Sequence, residues 1–211
     1  MKTGSKAVAI GLLASLPVMA CNGNTSASRE SEHAPAVSTG AVSVRPAVAW
    51  PAASTIDDRP LVALARERAA GNGAVESSER RLSEVRALVS RSPVPVLVPR
   101  DLRLATPTLV VEGEYFALTG RVDGVTIALQ GTRAAHRYDG VQPVAGNRDL
   151  RGNLRGFVSV NEGIRTASWI ENGAAYSVDL ECADFQDARC QNDDFLLSVV
   201  TQLTYVGGSG R

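Results

Sequence analysis

From about Asp57 the apolar positions of this chain recur at helical spacing, and from Thr108 onward they come in short runs and alternations typical of strands. Asp57 or Asp58 offers a helix cap and Pro60 suits a first turn, with Leu61, Val62, Leu64 and Ala65 as a short apolar face. Gly71-Asn72-Gly73 stops that helix. A second helix runs from about Glu76 to Arg91. Leu82, Val85 and Val89 share one of its faces with Leu88 beside them, while Arg80, Arg81, Glu84 and Arg86 lie elsewhere. Such a stripe reads as a packing face ahead of its alternative, a partner-binding helix. Glu76 and Arg80 add an i,i+4 pair. Pro93, Pro95 and Pro99 surround Val94, Val96, Leu97 and Val98. Proline cannot donate to a ladder, so this segment predicts an edge strand or an extended connector.

Residues 109–111 and 115–118 are short apolar runs, and Asp123-Gly124 between Val122 and Val125 is a hairpin signal. Val125, Ile127 and Leu129 then alternate with Thr126 and Ala128. Residues 132–156 are polar and weakly patterned and predict a long loop. Residues 157–160, a turn at Asn161-Glu162-Gly163, residues 164–170, a turn at Asn172-Gly173 and residues 174–180 predict a three-stranded meander. Trp169, Tyr176, Val178 and Leu180 are its expected core. Asp193 or Asp194 caps a final helix from Phe195 to about Leu203, and Tyr205-Val206-Gly207-Gly208 closes the domain. The fold class is α+β: an antiparallel sheet of about five to seven strands, with two N-terminal helices and one C-terminal helix packed on one face.

Ahead of this domain the pattern changes. Lys2 and Lys6 precede an apolar run at 7–19, which fits the core of an export signal and falls short of the ~20 residues a spanning helix needs. No later segment approaches that length. The run ends in Leu16-Pro17-Val18-Met19-Ala20-Cys21. This resembles the bacterial lipobox, in which Leu, a small residue and Gly or Ala precede an invariant Cys; Met19 departs from the usual Ala or Ser. The resemblance implies a signal peptide at 1–20 and acylation of Cys21 by a diacylglyceryl group and an N-acyl chain such as palmitate. Small residues at Val18 and Ala20 also suit ordinary signal peptidase, which would leave a soluble periplasmic or secreted protein. Asn22 after the cysteine is, by resemblance to proteobacterial lipoproteins, compatible with the outer membrane facing the periplasm. Residues 21–55 are rich in Ser, Ala, Pro and Gly and predict a disordered tether, with an end-to-end distance of roughly 30 Å, ahead of a single domain at 56–211. Trp50 either docks on the domain or a partner, or stands exposed in the linker.

Composition narrows the function. Among 211 residues, 22 basic side chains balance 22 acidic ones and 44% are hydrophobic, which excludes a basic nucleic-acid binder, an acidic disordered protein and a polytopic membrane protein. Both lysines lie in the leader. Its removal leaves only arginine as the basic side chain, and nothing for Schiff-base or P-loop chemistry. Of 3 cysteines, assigning Cys21 to lipid leaves Cys182 and Cys190, an even pair that reads as a disulfide in an exported protein. Such a bond would stabilise by about 2.5 kcal/mol through loop closure and staple the meander to the final helix.

Little else is available for chemistry. His33 falls in the tether and His136 in the irregular stretch, with no G-x-S-x-G elbow, no phosphate-binding glycine loop and no Cys/His zinc set. No metal or cofactor is expected. Arg148, Arg151 and Arg155, interleaved with Gly146 and Gly152, form either an anion site for a lipid headgroup or glycan carboxylate, or a solvated loop. Asp179, Glu181, Asp184, Asp187, Asp193 and Asp194 crowd the cysteine pair. They could serve calcium or a glycosidase pair, but no D-x-[DN]-x-[DN]-G loop is present, and 5% aromatic content is poor for a sugar cleft.

The stretch Ser168-Trp169-Ile170-Glu171-Asn172-Gly173-Ala174-Ala175-Tyr176, then Cys182, Asp187-Ala188-Arg189-Cys190 and the 196–208 ending, resembles a group of uncharacterised proteobacterial envelope proteins. More loosely it is similar to the β-rich extracytoplasmic domains of anti-sigma factors and related sensors. The resemblance brings no catalytic residues. Together these readings predict a non-catalytic envelope lipoprotein that binds or braces a periplasmic protein, lipid or glycan, with an apolar groove or an exposed sheet edge, such as 94–98, as the binding surface. The alternative is an envelope hydrolase using the acidic residues near the Cys182–Cys190 loop or His136, which requires those groups to converge in a pocket.

Overall fold

Three two-residue turns set the frame. Asp123-Gly124, Glu162-Gly163 and Asn172-Gly173 all hold both residues at positive φ, the geometry that lets a hairpin close without splaying its right-twisted strands. The computed structural model describes residues 41–71, 78–138, 140, 142 and 144–209. In chain order these form β1 (Ala41–Val44), α1 (Arg59–Gly71), α2 (Ser78–Val89), β2 (Val96–Pro99), β3 (Ala105–Glu112), β4 (Tyr115–Val122), β5 (Val125–Thr132) and β6 (Ala135–Tyr138). There follow β7 (Arg148–Asp149), β8 (Arg155–Asn161), β9 (Ile164–Glu171), β10 (Ala174–Cys182), α3 (Ala188–Gln191), α4 (Asp194–Thr201) and β11 (Leu203–Gly207). The fold is α+β, as the sequence predicts. The expected leader, Cys21 and the first part of the tether lie outside the described residues, as do Asn72 to Ser77, where the first helix was expected to stop and the second to begin.

A seven-stranded antiparallel sheet, in the order β3-β4-β5-β10-β9-β8-β7, carries the domain. Its inner face is formed by alternate residues, among them Phe116 and Leu118 on β4, Ile127 and Leu129 on β5, Tyr176, Val178 and Leu180 on β10, and Trp169 on β9. All are 3% exposed or less. Leu61, Leu64 and Ala65 of α1, Val85 and Val89 of α2, and Leu196, Val199 and Val200 of α4 complete this core. The expected apolar stripes of the helices are thus the faces they bury.

The proline-flanked segment is a strand with one ladder partner, as its prolines predict, but it is not exposed. Val94, Val96, Leu97 and Val98 are at most 1% exposed, so this is no exposed edge. β2 pairs with β11, a strand made by the ending read from sequence only as a closing segment. The prolines sit where the ladder needs no donor from them. Tyr176 on the large sheet donates its hydroxyl to Pro95 O at 2.9 Å and bolts the two sheets together.

Two further strands were hidden in stretches without periodicity. β6 falls in the expected loop at 132–156, and β1 falls inside the expected tether at 21–55; the two pair with each other, Val42 opposite Arg137 and Val44 opposite Ala135. Each is four residues long and its partner lies some ninety positions away, so neither leaves a local pattern. The chain then stays on the domain. Ala49 N–H donates to Asn172 O at 2.8 Å, Asp57 N–H to Tyr205 O at 2.9 Å, and the Trp50 ring lies against Gly208 so closely that a Cβ there would collide with it. Of the two readings of Trp50, docking on the domain is the one observed, and the compact unit takes in β1, ahead of residue 56.

Candidate functional site

The cysteine pair is joined: Cys182 at the end of β10 and Cys190 in α3 form a disulfide with Cα atoms 6.2 Å apart. Around it a short cap closes one end of the sheet. Asp187 caps α3 by accepting the Arg189 N–H at 2.9 Å. The Arg189 guanidinium holds the same carboxylate, reaches Asp123 O at 2.7 Å in the β4–β5 turn, and lies over the Phe195 ring. That hydrogen bonding lowers the Asp187 pKa to about 2. Arg165 on β9 donates to Cys190 O at 2.7 Å and to Asp193 at 2.6 Å.

Of the two caps the sequence offers for the final helix, Asp193 or Asp194, the structure uses Asp193. It stands at the N-cap position, but its carboxylate is held by Arg165 and Arg148 instead, and Asn192 accepts the Asp194 N–H at 2.9 Å. Two guanidiniums outcompete a backbone N–H for one carboxylate.

The three arginines read as an anion site do have anions, and these belong to the same chain. Arg148 faces Asp193 at 3.3 Å, Arg151 faces Glu171 at 2.8 Å, and Arg155 faces Asp149 at 3.0 Å. They do not converge on a common point. The Arg151–Glu171 pair is the most buried, with side chains 13% and 15% exposed. Arg151 also donates to Leu203 O at 2.6 Å and lies over the Tyr205 ring, while Trp169 Nε1 donates to Glu171 at 3.0 Å and Asn172 to the Tyr205 hydroxyl at 2.8 Å. This network joins the loop before β8, the β9–β10 turn and β11. Burial, with Glu171 nearby, raises the Tyr205 pKa well above the usual phenol value, so the hydroxyl stays protonated as a donor or acceptor. Sequence could single out Arg151 but not Glu171, which is brought to it by the turn.

The groups of the hydrolase alternative lie apart. Cys182 pairs with Val125 at the start of β5, whereas His136 follows Thr132 at its far end. An eight-residue strand, about 25 Å, separates them. Asp179 accepts a hydrogen bond from Thr166 at 2.6 Å, and Asp187 and Asp193 are committed as described. Among the described residues no group of three or more His, Cys, Asp or Glu is placed to hold a metal ion. None of the helices there is long and apolar enough to cross a membrane.

What remains open is the outer face of the seven-stranded sheet. Register places Thr108, Thr119, Ala128, Asp179, Thr166 and Ser159 in one row across six strands. The next row runs Val110, Ala117, Gln130, Ser177, Ser168 and Phe157, with Gln130 donating to Ser177 at 2.9 Å. Small and hydroxyl side chains fill the centre. Val110, Tyr115, Phe157 and Ile170 stand 38–71% exposed toward its margins. Phe157, Ile170, Ala175 and Val144 line a cleft of about 290 Å³ there. A second cleft, of about 350 Å³, lies between α2 and β11, floored by Leu61, Val89 and Val206 and bridged by the Arg86–Asp58 ion pair at 2.7 Å. No protein-family model, curated protein or solved structure matches this chain.

Proposed function

We propose that this protein is a non-catalytic lipoprotein of the bacterial cell envelope, held to the membrane through Cys21, whose domain binds or braces a partner. The observation that carries the binding half of this reading is the outer sheet face: broad, regular, rich in Thr, Ser and Ala, and bordered by exposed Val110, Tyr115, Phe157 and Ile170. An uncovered face of this kind suits contact with another surface more than enclosure of a small substrate. The envelope half is supported by the disulfide, a bond of oxidising compartments, together with the lipobox-like leader. The internal pairing of Arg148, Arg151, Asp187 and Asp193 supports a structural use of the charged side chains.

Two measurements test this. Cys21→Ala should move the protein from the membrane to the soluble fraction; unchanged fractionation removes the lipid anchor. A photo-crosslinking residue at Thr119 or Gln130 should capture a discrete envelope component in living cells. Its absence there, with capture only from positions elsewhere on the domain, removes the sheet face as the binding surface.

A further inference from the structure

Between β1 and α1 the chain runs along the domain as a strap. Arg45 pairs with Glu114 of the β3–β4 turn at 3.2 Å. Ala49 N–H donates to Asn172 O at 2.8 Å in the β9–β10 turn. Further on, Asp57 N–H donates to Tyr205 O at 2.9 Å, and Ile56 forms a parallel bridge with Tyr205 on β11. The two residues that accept from the strap are themselves joined, Asn172 donating its side-chain amide to the Tyr205 hydroxyl at 2.8 Å. Val48 and Ile56 are half-buried against the core. The strap is held on both sides of Ala52, Ala53, Ser54 and Thr55, which are exposed.

The domain is shaped to receive it. A Cβ at Gly173 would collide with Ala47 O, and one at Gly208 with the Trp50 ring. Bare backbone at these two positions, on separate elements, is what lets the strap come so close. The strap is also shaped for docking. Pro46 and Pro51 restrict the undocked chain and so reduce the entropy that docking costs. Ahead of it, β1 is paired with β6, so the chain is held from Ala41 onward.

We infer that residues 41–57 take up chain between the Cys21 anchor and the domain, and thereby set how far the domain reaches from its membrane. The inference rests on the lipoprotein reading, which supplies the anchor. From Cys21 to Ala41 is twenty residues, which span at most about 70 Å when fully extended. From Cys21 to Asp58, where α1 is about to begin, is thirty-seven residues, which would span about 130 Å. Docking the strap nearly halves the greatest reach. Any partner of the domain must stand within the shorter distance, so the strap selects partners close to the anchoring membrane.

The test uses full-length lipidated protein on a supported bilayer of phosphatidylethanolamine and phosphatidylglycerol, with the mean height of the domain read by neutron reflectometry. One variant carries about twenty inserted Gly and Ser residues between Ser28 and Arg29, ahead of the strap. A second carries the same insertion between Pro51 and Ala52, beside the exposed stretch of the strap. The first insertion lengthens the free tether and should raise the domain by about 10 Å, on flexible-chain scaling. The second should loop out and leave the height unchanged, because the chain ahead of it stays docked through β1, Ala49 and Trp50. A rise from the second insertion equal to that from the first, or no rise from the first, overturns the inference while the anchor is retained. Loss of the parent protein from the bilayer on washing overturns the anchor, and the reach with it.

Discussion

At the scale of single residues, this chain uses its charges on itself. Arg148, Arg151 and Arg155 each found a carboxylate that is distant or unremarkable in sequence. The pairs differ in worth because they differ in exposure. Arg151 and Glu171 are largely buried, so removing the guanidinium strands a carboxylate among Trp169 and Tyr205. Arg151→Ala should therefore lower unfolding free energy by about 3 kcal/mol. Arg155 and Asp149 are 56% and 66% exposed, and Arg155→Ala should cost under about 1 kcal/mol. Urea denaturation of the two variants side by side tests the ranking; equal midpoints would contradict it. Asp187 offers a second residue-level prediction. Its folded pKa is about 2, against an ordinary 3.8, because Arg189 stabilises its ionised form. Its contribution is then fully present above the unfolded value and is lost as pH falls through about 2. Carboxyl carbon NMR should find the Asp187 midpoint near 2; a midpoint near 4 would mean that the Arg189 contact is not formed in solution.

At the scale of elements, legibility followed local pattern. The hairpins around Asp123-Gly124, Glu162-Gly163 and Asn172-Gly173 were readable because turn chemistry and alternation agree within twenty residues. The helical stripes of α1, α2 and α4 were readable for the same reason. β1, β6 and β11 were not: each is stabilised by a strand far away in the chain, and four or five residues cannot show a period. The burial of 94–98 was missed because prolines argue about donors, whereas burial depends on what lies above and below. Trp50 belongs to this scale as well. Its ring clamps the segment after β1 to Gly208, so Trp50→Ala should destabilise by about 1–2 kcal/mol, less than a fully buried aromatic. A change within a few tenths, read by thermal or urea unfolding, would mean that this segment is not held in solution. The disulfide joins β10 to α3 and positions the Arg189 contact on the β4–β5 turn. Reduction, or Cys182→Ser with Cys190→Ser, should cost about 2.5 kcal/mol. Denaturation with and without reductant checks this, and an unchanged midpoint would show the cap to be held by its other contacts.

For the whole molecule, the candidate site was less legible than the fold. The sequence offered arginines and carboxylates as possible ligand groups, and the structure pairs Arg148, Arg151 and Arg155 with carboxylates of the same chain. It offered no sign of the outer sheet face, because Thr, Ser and Ala at alternate positions look like ordinary solvent-facing residues until seven strands align them. The described domain has a closed, helix-covered side and an open sheet side. Such an object suits attachment and contact. Attachment through Cys21 is the claim on which the proposed function depends. The most direct measurement is the mass of the N-terminal peptide of the mature protein isolated from its envelope. The account predicts a chain beginning at Cys21 and carrying a diacylglyceryl group and an N-acyl chain. An unmodified Cys21, or a mature chain that still contains residues 1–20, would contradict it.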